Sequence, residues 1–343
     1  MIQRKIHPIF ATYCFFLMLI LNSSCHFVHE EYGENYPTFI NTELTFRFNF
    51  DFDGATLSPE LLGGIHAGYT IRYVVELYDA ATKERKERMV LTPYELSSGE
   101  KQYTIRDIKL SPIRYYVLAW VDIVPASTDT DYYYHTQNGL ESVRLTNLSA
   151  YKGSTVARDA FSGRADMDFT VYDGQFDAHT EVTIDLERPL GMYVIFVNDC
   201  QAYFAAHSAQ GENVPVGVCV RYISGSDLSS PYFRDGYNVN QRVVNHLEER
   251  LVLYEDQLVI RPGDEELMLA FDYILVTRDR TPLPLAIDLS DASGNVITTH
   301  LLSVPLEQNR QTVIKDAFFT QKEGGGIIIH DQFDDTPIII ELP

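Results

Sequence analysis

The chain has 343 residues, with 27 Lys and Arg against 48 Asp and Glu, for a formal net charge of −21. A surface this acidic repels phosphate backbones and anionic headgroups, which excludes nucleic-acid binding as a function class. A length well beyond one comfortable hydrophobic core predicts two domains.

The N-terminus reads as an export leader. Arg4, Lys5 and His7 precede an apolar run from Ile9 to Leu21, broken only by Thr12, and Asn22, Ser23 and Ser24 then lead into Cys25. This is a charged segment, an apolar segment and a small-residue cleavage site, so residues 1–24 are assigned as a signal peptide. The apolar run is too short for a bilayer span, which needs about 20 residues. The stretch Leu21–Cys25 resembles a lipobox, in which the thiol after the cut carries a diacylglycerol; Asn22 departs from the strict pattern. An ordinary cleavage site with an incidental cysteine is the competing reading. Each buried methylene of such an anchor contributes about 0.8 kcal/mol, and three chains hold a protein on a membrane essentially permanently. Residues 25–43 are then a lipidated tether.

From Leu44 to Phe52 the sequence alternates strictly, with Leu44, Phe46, Phe48, Phe50 and Phe52 on one face and Thr45, Arg47, Asn49 and Asp51 on the other. Only a half-buried strand gives that period. Further strands are expected at 69–78, 101–108, 115–124 and 181–186, the third carrying Trp120, the one tryptophan of the chain. Glu187-Arg188-Pro189-Leu190-Gly191 interrupts the series and places a boundary between domains 44–189 and 190–343. A second series follows at 193–197, 216–223, 257–260, 267–276, 283–289 and 296–303, with short runs at 327–329 and 338–342. Pro262-Gly263-Asp264, Asp291–Asn295 and Gly324–Gly326 supply turn chemistry between them. Residues 201–210 and 242–250 are candidate short helices, and 127–166 reads as long loops across one end of the first domain. Many short strands without a strand–helix–strand rhythm predict an all-β fold of two tandem antiparallel β-sandwiches. No internal repeat is visible in the sequence.

Chemistry is sparse. Among the ten histidines only His26 and His29, in the tether, sit at metal-ligand spacing, and no nucleotide-binding or nucleophile-elbow motif is present. Asp51–Gly54 reads as a hairpin turn far more readily than as a calcium loop, and a solvated turn explains His330-Asp331 with Asp334-Asp335 as well as a cation site does. No metal, no cofactor and no catalytic residues are therefore assigned, and the chain is expected not to be an enzyme. Tyr132, Tyr133 and Tyr134 form a candidate ligand-contact loop, where rings can stack on sugars or on a partner protein; the competing reading has them plugging the sandwich end with wet hydroxyls. Cys14 leaves with the leader and Cys25 is lipidated, so Cys200 and Cys219 remain as a candidate disulfide in an oxidising compartment. Two buried thiols are the competing reading.

Four segments bear a family likeness. They are Cys25–Glu30, the strand pair Ile71–Tyr78 with Tyr116–Asp122, the segments Arg158–Phe161 and Leu186–Pro189, and Val304–Ile314 with its P-L-x-x-N-x-x-T-x-I spacing. On these residues the chain resembles the fimbrillin-like lipoproteins of Gram-negative gut and oral anaerobes, which include pilus stalk, anchor and tip subunits. The resemblance implies transthyretin-like sandwiches and lipid anchoring at the outer membrane through Cys25, with exposure at the cell surface. The work implied is that of a fimbria-like structural, anchor or adhesion subunit that joins other subunits by β-strand addition. It also implies a candidate processing point at Arg47, where stalk subunits lose their first strand; an anchor keeps that strand, and Arg47 is expected to stay uncut. The alternative function is a monomeric lipoprotein that captures host or dietary glycan or protein through the tyrosine loop.

Overall fold

The computed structural model describes residues 39–48, 68–92, 102–126, 128–175, 177–209, 211–224, 227–231, 233–320 and 338–341. The leader, Cys25, the tether to Thr38, both candidate cation turns, Gly324–Gly326 and the run 327–329 lie outside these residues. Phe39–Pro343 packs as one compact unit.

The first half contains β1 (Ile40–Phe48), β2 (Tyr69–Asp79), β3 (Arg85–Leu91), β4 (Gln102–Leu110), β5 (Arg114–Pro125), β6 (Tyr134–His135), β7 (Val143–Leu145), β8 (Ala160–Asp168) and β9 (His179–Leu186). The second contains β10 (Leu190–Val197), the helix α1 (Cys200–His207), β11 (Val214–Ser224), β12 (Asp227–Pro231), β13 (Phe233–Asn238), β14 (Val243–Glu248) and β15 (Val252–Ile260). It ends with β16 (Leu267–Leu275), β17 (Thr281–Ser290), β18 (Val296–Leu306), β19 (Gln311–Asp316) and β20 (Ile338–Glu341). The chain is all-β, as its alternating patterns predict.

Each half repeats one seven-strand plan. In the first, a sheet ordered β4-β1-β9 faces a sheet ordered β3-β2-β5-β8. In the second, β16-β10-β19 corresponds to the former, and β11 flanked by β15 and β17, with β18 beyond, corresponds to the latter. The first strand of each half lies in the middle of its sheet, antiparallel to the fourth strand and parallel to the last. These parallel pairs, with that of β20 on β19, are the departures from the antiparallel expectation. The first and last strands of a half are distant in sequence, so no tight hairpin forces them to run in opposite directions.

In β1 the alternation predicts the burial: Leu44 and Phe46 are fully buried, Phe48 is nearly so, and Arg47 is exposed. Each such side chain contributes about 1.5–3 kcal/mol on leaving water. The sheet of β2 and β5 is buried on both faces. Tyr73, Val75, Val117 and Val121 pack against β1, while Val74, Leu118 and Trp120 pack under the second half. That double burial explains the nearly unbroken apolar run of β5.

The segments inserted into the two seven-strand plans pair with each other. β6 and β7, inserted after β5, join β13 and β14, inserted after β11, in a sheet ordered β14-β13-β7-β6. Two expectations are corrected here. Residues 243–248 of the expected 242–250 helix form β14, because Val243 and Val244 take up pairing with Asn238 and Tyr237 and this tertiary pairing outweighs local helix propensity. The stretch 127–166 is not loop throughout, since it holds β6, β7 and most of β8.

Candidate functional site

Four networks of buried arginines and acids tie the loop cluster together. On the face of β2 that looks toward the second half, Arg72 donates to both oxygens of Asp122 at 2.9 and 2.7 Å and to Asp131 at 2.8 Å. Burial alone would push the Asp131 carboxyl up, but hydrogen bonds from Arg72 and Thr136 prevail and hold it below the ordinary carboxylate range. Glu76, fully buried two pleat repeats further on the same face, accepts from Arg85 at 2.7 Å, from Arg88, from Tyr78 Oη at 2.6 Å and from the Leu140 amide at 2.9 Å. Gly139, at φ +95°, delivers that amide, and the conformation favours glycine.

Two further pairs follow. Arg188 chelates Asp159 at 2.9 and 3.0 Å. Arg158 meets Asp272 of the second half at 3.1 Å and lies over the Tyr151 ring, 4.0 Å from its centroid. Tyr151 donates to Asp272 at 2.7 Å, Tyr222 also donates to it, and Tyr193 hydrogen-bonds Tyr222 at 2.9 Å. A buried charge survives only with partners of this kind, and of these networks the one on Asp272 joins the two halves.

Above them an open cleft of 580 Å³ lies over the β14-β13-β7-β6 sheet, with walls that include Asn138, Arg144, Ser149, Asp235, Glu248 and Arg250. Arg144 donates through Nε and Nη2 to Asp235 at 3.1 and 2.8 Å, and His246 Nδ1 contacts the other oxygen of Asp235 at 2.6 Å. Arg250 holds Glu248 in the same side-on manner at 3.1 and 2.8 Å, which draws the Glu248 pKa down to about 2. Sequence reasoning did not single out any of these six. Arg144 and Asp235 lie 91 positions apart in the chain, and only the pairing of the two inserted segments brings Arg144 and Ser149 to Asp235, Glu248 and Arg250.

The candidates taken from the sequence are dispersed. Arg47 stands on the exposed face of β1, paired with Asp185 of β9 at 2.6 Å and flanked on both sides by paired strands. Of the tyrosine loop, Tyr134 is fully buried with its hydroxyl on the Arg158 carbonyl at 2.6 Å, and so it cannot meet a ligand. Tyr133 is half-buried and Tyr132 is exposed, their rings 4.6 Å apart. His135, which closes that loop, reaches the cleft wall and contacts Asp131 at 2.9 Å. The Cys200–Cys219 bridge does not form. Cys200 opens α1 with its thiol directed at the Val197 carbonyl, Cys219 lies in β11, and both are free. Burial pushes both thiols up to about 11, so they remain protonated and unreactive at neutral pH. Among the described residues no group of three or more His, Cys, Asp or Glu could hold a metal ion, and no helix is long and apolar enough to cross a membrane.

Residues 37–340 match the model of the family of unknown function DUF6562. The chain belongs to that family. The match takes in both seven-strand halves and the sheet that joins them. No curated protein matches the chain. It is similar in structure to the fimbrial anchor protein Mfa2 of Porphyromonas gingivalis, with 12% identity over 76% of this chain and 82% of that one and a TM-score of 0.38. A fimbrial assembly protein of Parabacteroides distasonis gives 9% identity, 82% and 92% coverage and a TM-score of 0.40. A proposed adhesin of Bacteroides ovatus gives 11%, 76% and 76%, and 0.44.

Proposed function

We propose that this DUF6562 chain is a cell-surface lipoprotein, held in the outer membrane by an acylated Cys25, that serves as a fimbria-like structural, anchor or adhesion subunit and not as an enzyme. The observation that carries the reading is the order of parts. A leader ending at Leu21–Ser24 puts Cys25 first in the exported chain, and a short tether separates it from an acidic all-β body that begins at β1. Within this class the anchor role suits the chain best. β1 is the central strand of its sheet, and Arg47 is drawn into an ion pair on β9, so a protease would have to strip the strand out before cutting it. The boundary between the two sandwiches is placed at Pro189–Leu190, between β9 and β10. Partners are other fimbrial subunits joined by β-strand addition.

Metabolic labelling with a palmitate analogue tests the anchor. Wild-type protein incorporates the label and sediments with membranes, whereas Cys25→Ser does neither. Unlabelled wild type in the membrane-free fraction would sink the reading.

A further inference from the structure

The cleft between the inserted segments has no part in anchoring, and its geometry carries an inference of its own. Both of its guanidinium groups are gripped along the Nε–Nη2 edge, Arg144 by Asp235 and Arg250 by Glu248. A guanidinium presents five N–H donors in a rigid fork, so gripping one edge orients the other. Nη1 of Arg144 and Nη1 of Arg250 make no bond among the described residues.

The acids lie below and the bases above. The side chains of Asp235 and Glu248 are 2% and 13% exposed, against 32% for Arg144 and 74% for Arg250. An incoming group therefore meets positive donors, while the carboxylates that balance them stay underneath. On a chain of net charge −21 the cleft is charge-balanced, with its two cations outermost. Around these donors Asn138, Asn147 and Ser149 are exposed, and their side chains make no hydrogen bond to other described residues. Amides and hydroxyls of that kind match the vicinal hydroxyls of a sugar ring. Thr146 hydrogen-bonds the carbonyls of Tyr132 and Tyr133, which brings the exposed Tyr132 segment against the cleft wall.

We propose that this cleft binds a carboxylated saccharide, with the acid on the free edges of Arg144 and Arg250 and the ring hydroxyls on Asn138, Asn147 and Ser149. A peptide carboxylate would satisfy the arginines equally well, but a peptide draws its affinity from apolar pockets or a strand edge, and Leu145 in the cleft wall is almost wholly buried. The volume lies within the range of about 300–1,000 Å³ typical of small-ligand sites. The inference does not depend on lipidation, and an unlabelled Cys25 would leave it standing.

The test is titration calorimetry of the full chain with sialyllactose and tetragalacturonate, beside lactose and cellotetraose as uncharged counterparts and hexaglutamate as a peptide acid. At least one acidic sugar binds, its neutral counterpart binds about tenfold more weakly or worse, and added salt weakens the acidic sugar. Arg250→Gln reduces the affinity by about tenfold with the unfolding midpoint unchanged, since its side chain is largely in water. Asn138→Ala gives a smaller loss on the same background. The proposal is overturned if no sugar binds, if the neutral sugars bind equally, if hexaglutamate binds as well as the sugars, or if neither substitution alters binding.

Discussion

Arg158 and Asp272 lie 114 positions apart in the sequence and 3.1 Å apart in the fold, and the contrast shows what a sequence conceals at the scale of single residues. Arg158 opens one of the segments that carry the family likeness, but that likeness says nothing of burial, and each of the two reads as one more surface charge in a chain rich in them. Their burial, with that of Arg72, Asp122, Glu76 and Arg188, follows from a second half covering a sheet face that sequence periodicity alone would leave in water. Apolar residues were easier to place. The alternation of Leu44, Phe46 and Phe48 reported both the strand and its inner face. Removing one member of a buried pair strands the other charge, at a cost of about 3–5 kcal/mol. Arg158→Ala is therefore expected to lower the stability by that amount in urea unfolding, whereas truncating the exposed Arg47 changes it by less than about 1 kcal/mol. Equal, small effects of the two substitutions would contradict the network.

Among the elements, legibility followed the apolar pattern, whether one face or both were buried, and the expected bounds of β2, β5 and β16 agree with the fold to within about one residue. β1, β4, β9 and β15 alternate; the sequence located β4 and β9 closely and the Leu44–Phe48 part of β1, but of β15 only its last part, from Gln257 to Ile260. β3 was missed because Arg85–Arg88 is almost wholly polar; its place is set by pairing with β2 and by the reach of Arg85 and Arg88 to Glu76. β13 and β14 were missed for a related reason, since the strands that make them a sheet come from the other half of the chain. A single central strand supports much of the first sandwich. β1 bonds along both edges, and Phe46 and Phe48 both pack on Tyr73, with ring centroids 5.8 and 5.7 Å away. Phe46→Ala opens a cavity at this point and is expected to cost about 3–5 kcal/mol. The midpoint of denaturant unfolding measures it, and a cost below about 1 kcal/mol would mean that β1 contributes little to the fold.

In the molecule as a whole, the sequence indicated two sandwiches but not that they share one plan or lock together. The repeated strand order lies in topology and not in matching residues, so a search for similar segments finds nothing. The interlocking sheet and the buried pair Arg158–Asp272 make the halves one compact unit, and that unit positions the cleft. The same architecture bears on how the protein is displayed. A subunit that polymerises by strand exchange must give up its first strand, and here that strand is the middle of its sheet, so its loss would uncover Tyr73, Val75, Val117 and Val121, which pack against it. In the proposed anchor role the chain has no such need and would keep both lipid and strand. The central claim, an intact chain held on the surface from Cys25, is tested most directly by determining the N-terminus of protein extracted from cell membranes. A chain beginning at an acylated Cys25 and running uncut through Arg47 is the result expected; a chain beginning at Phe48 would contradict it and make this a polymerising stalk subunit.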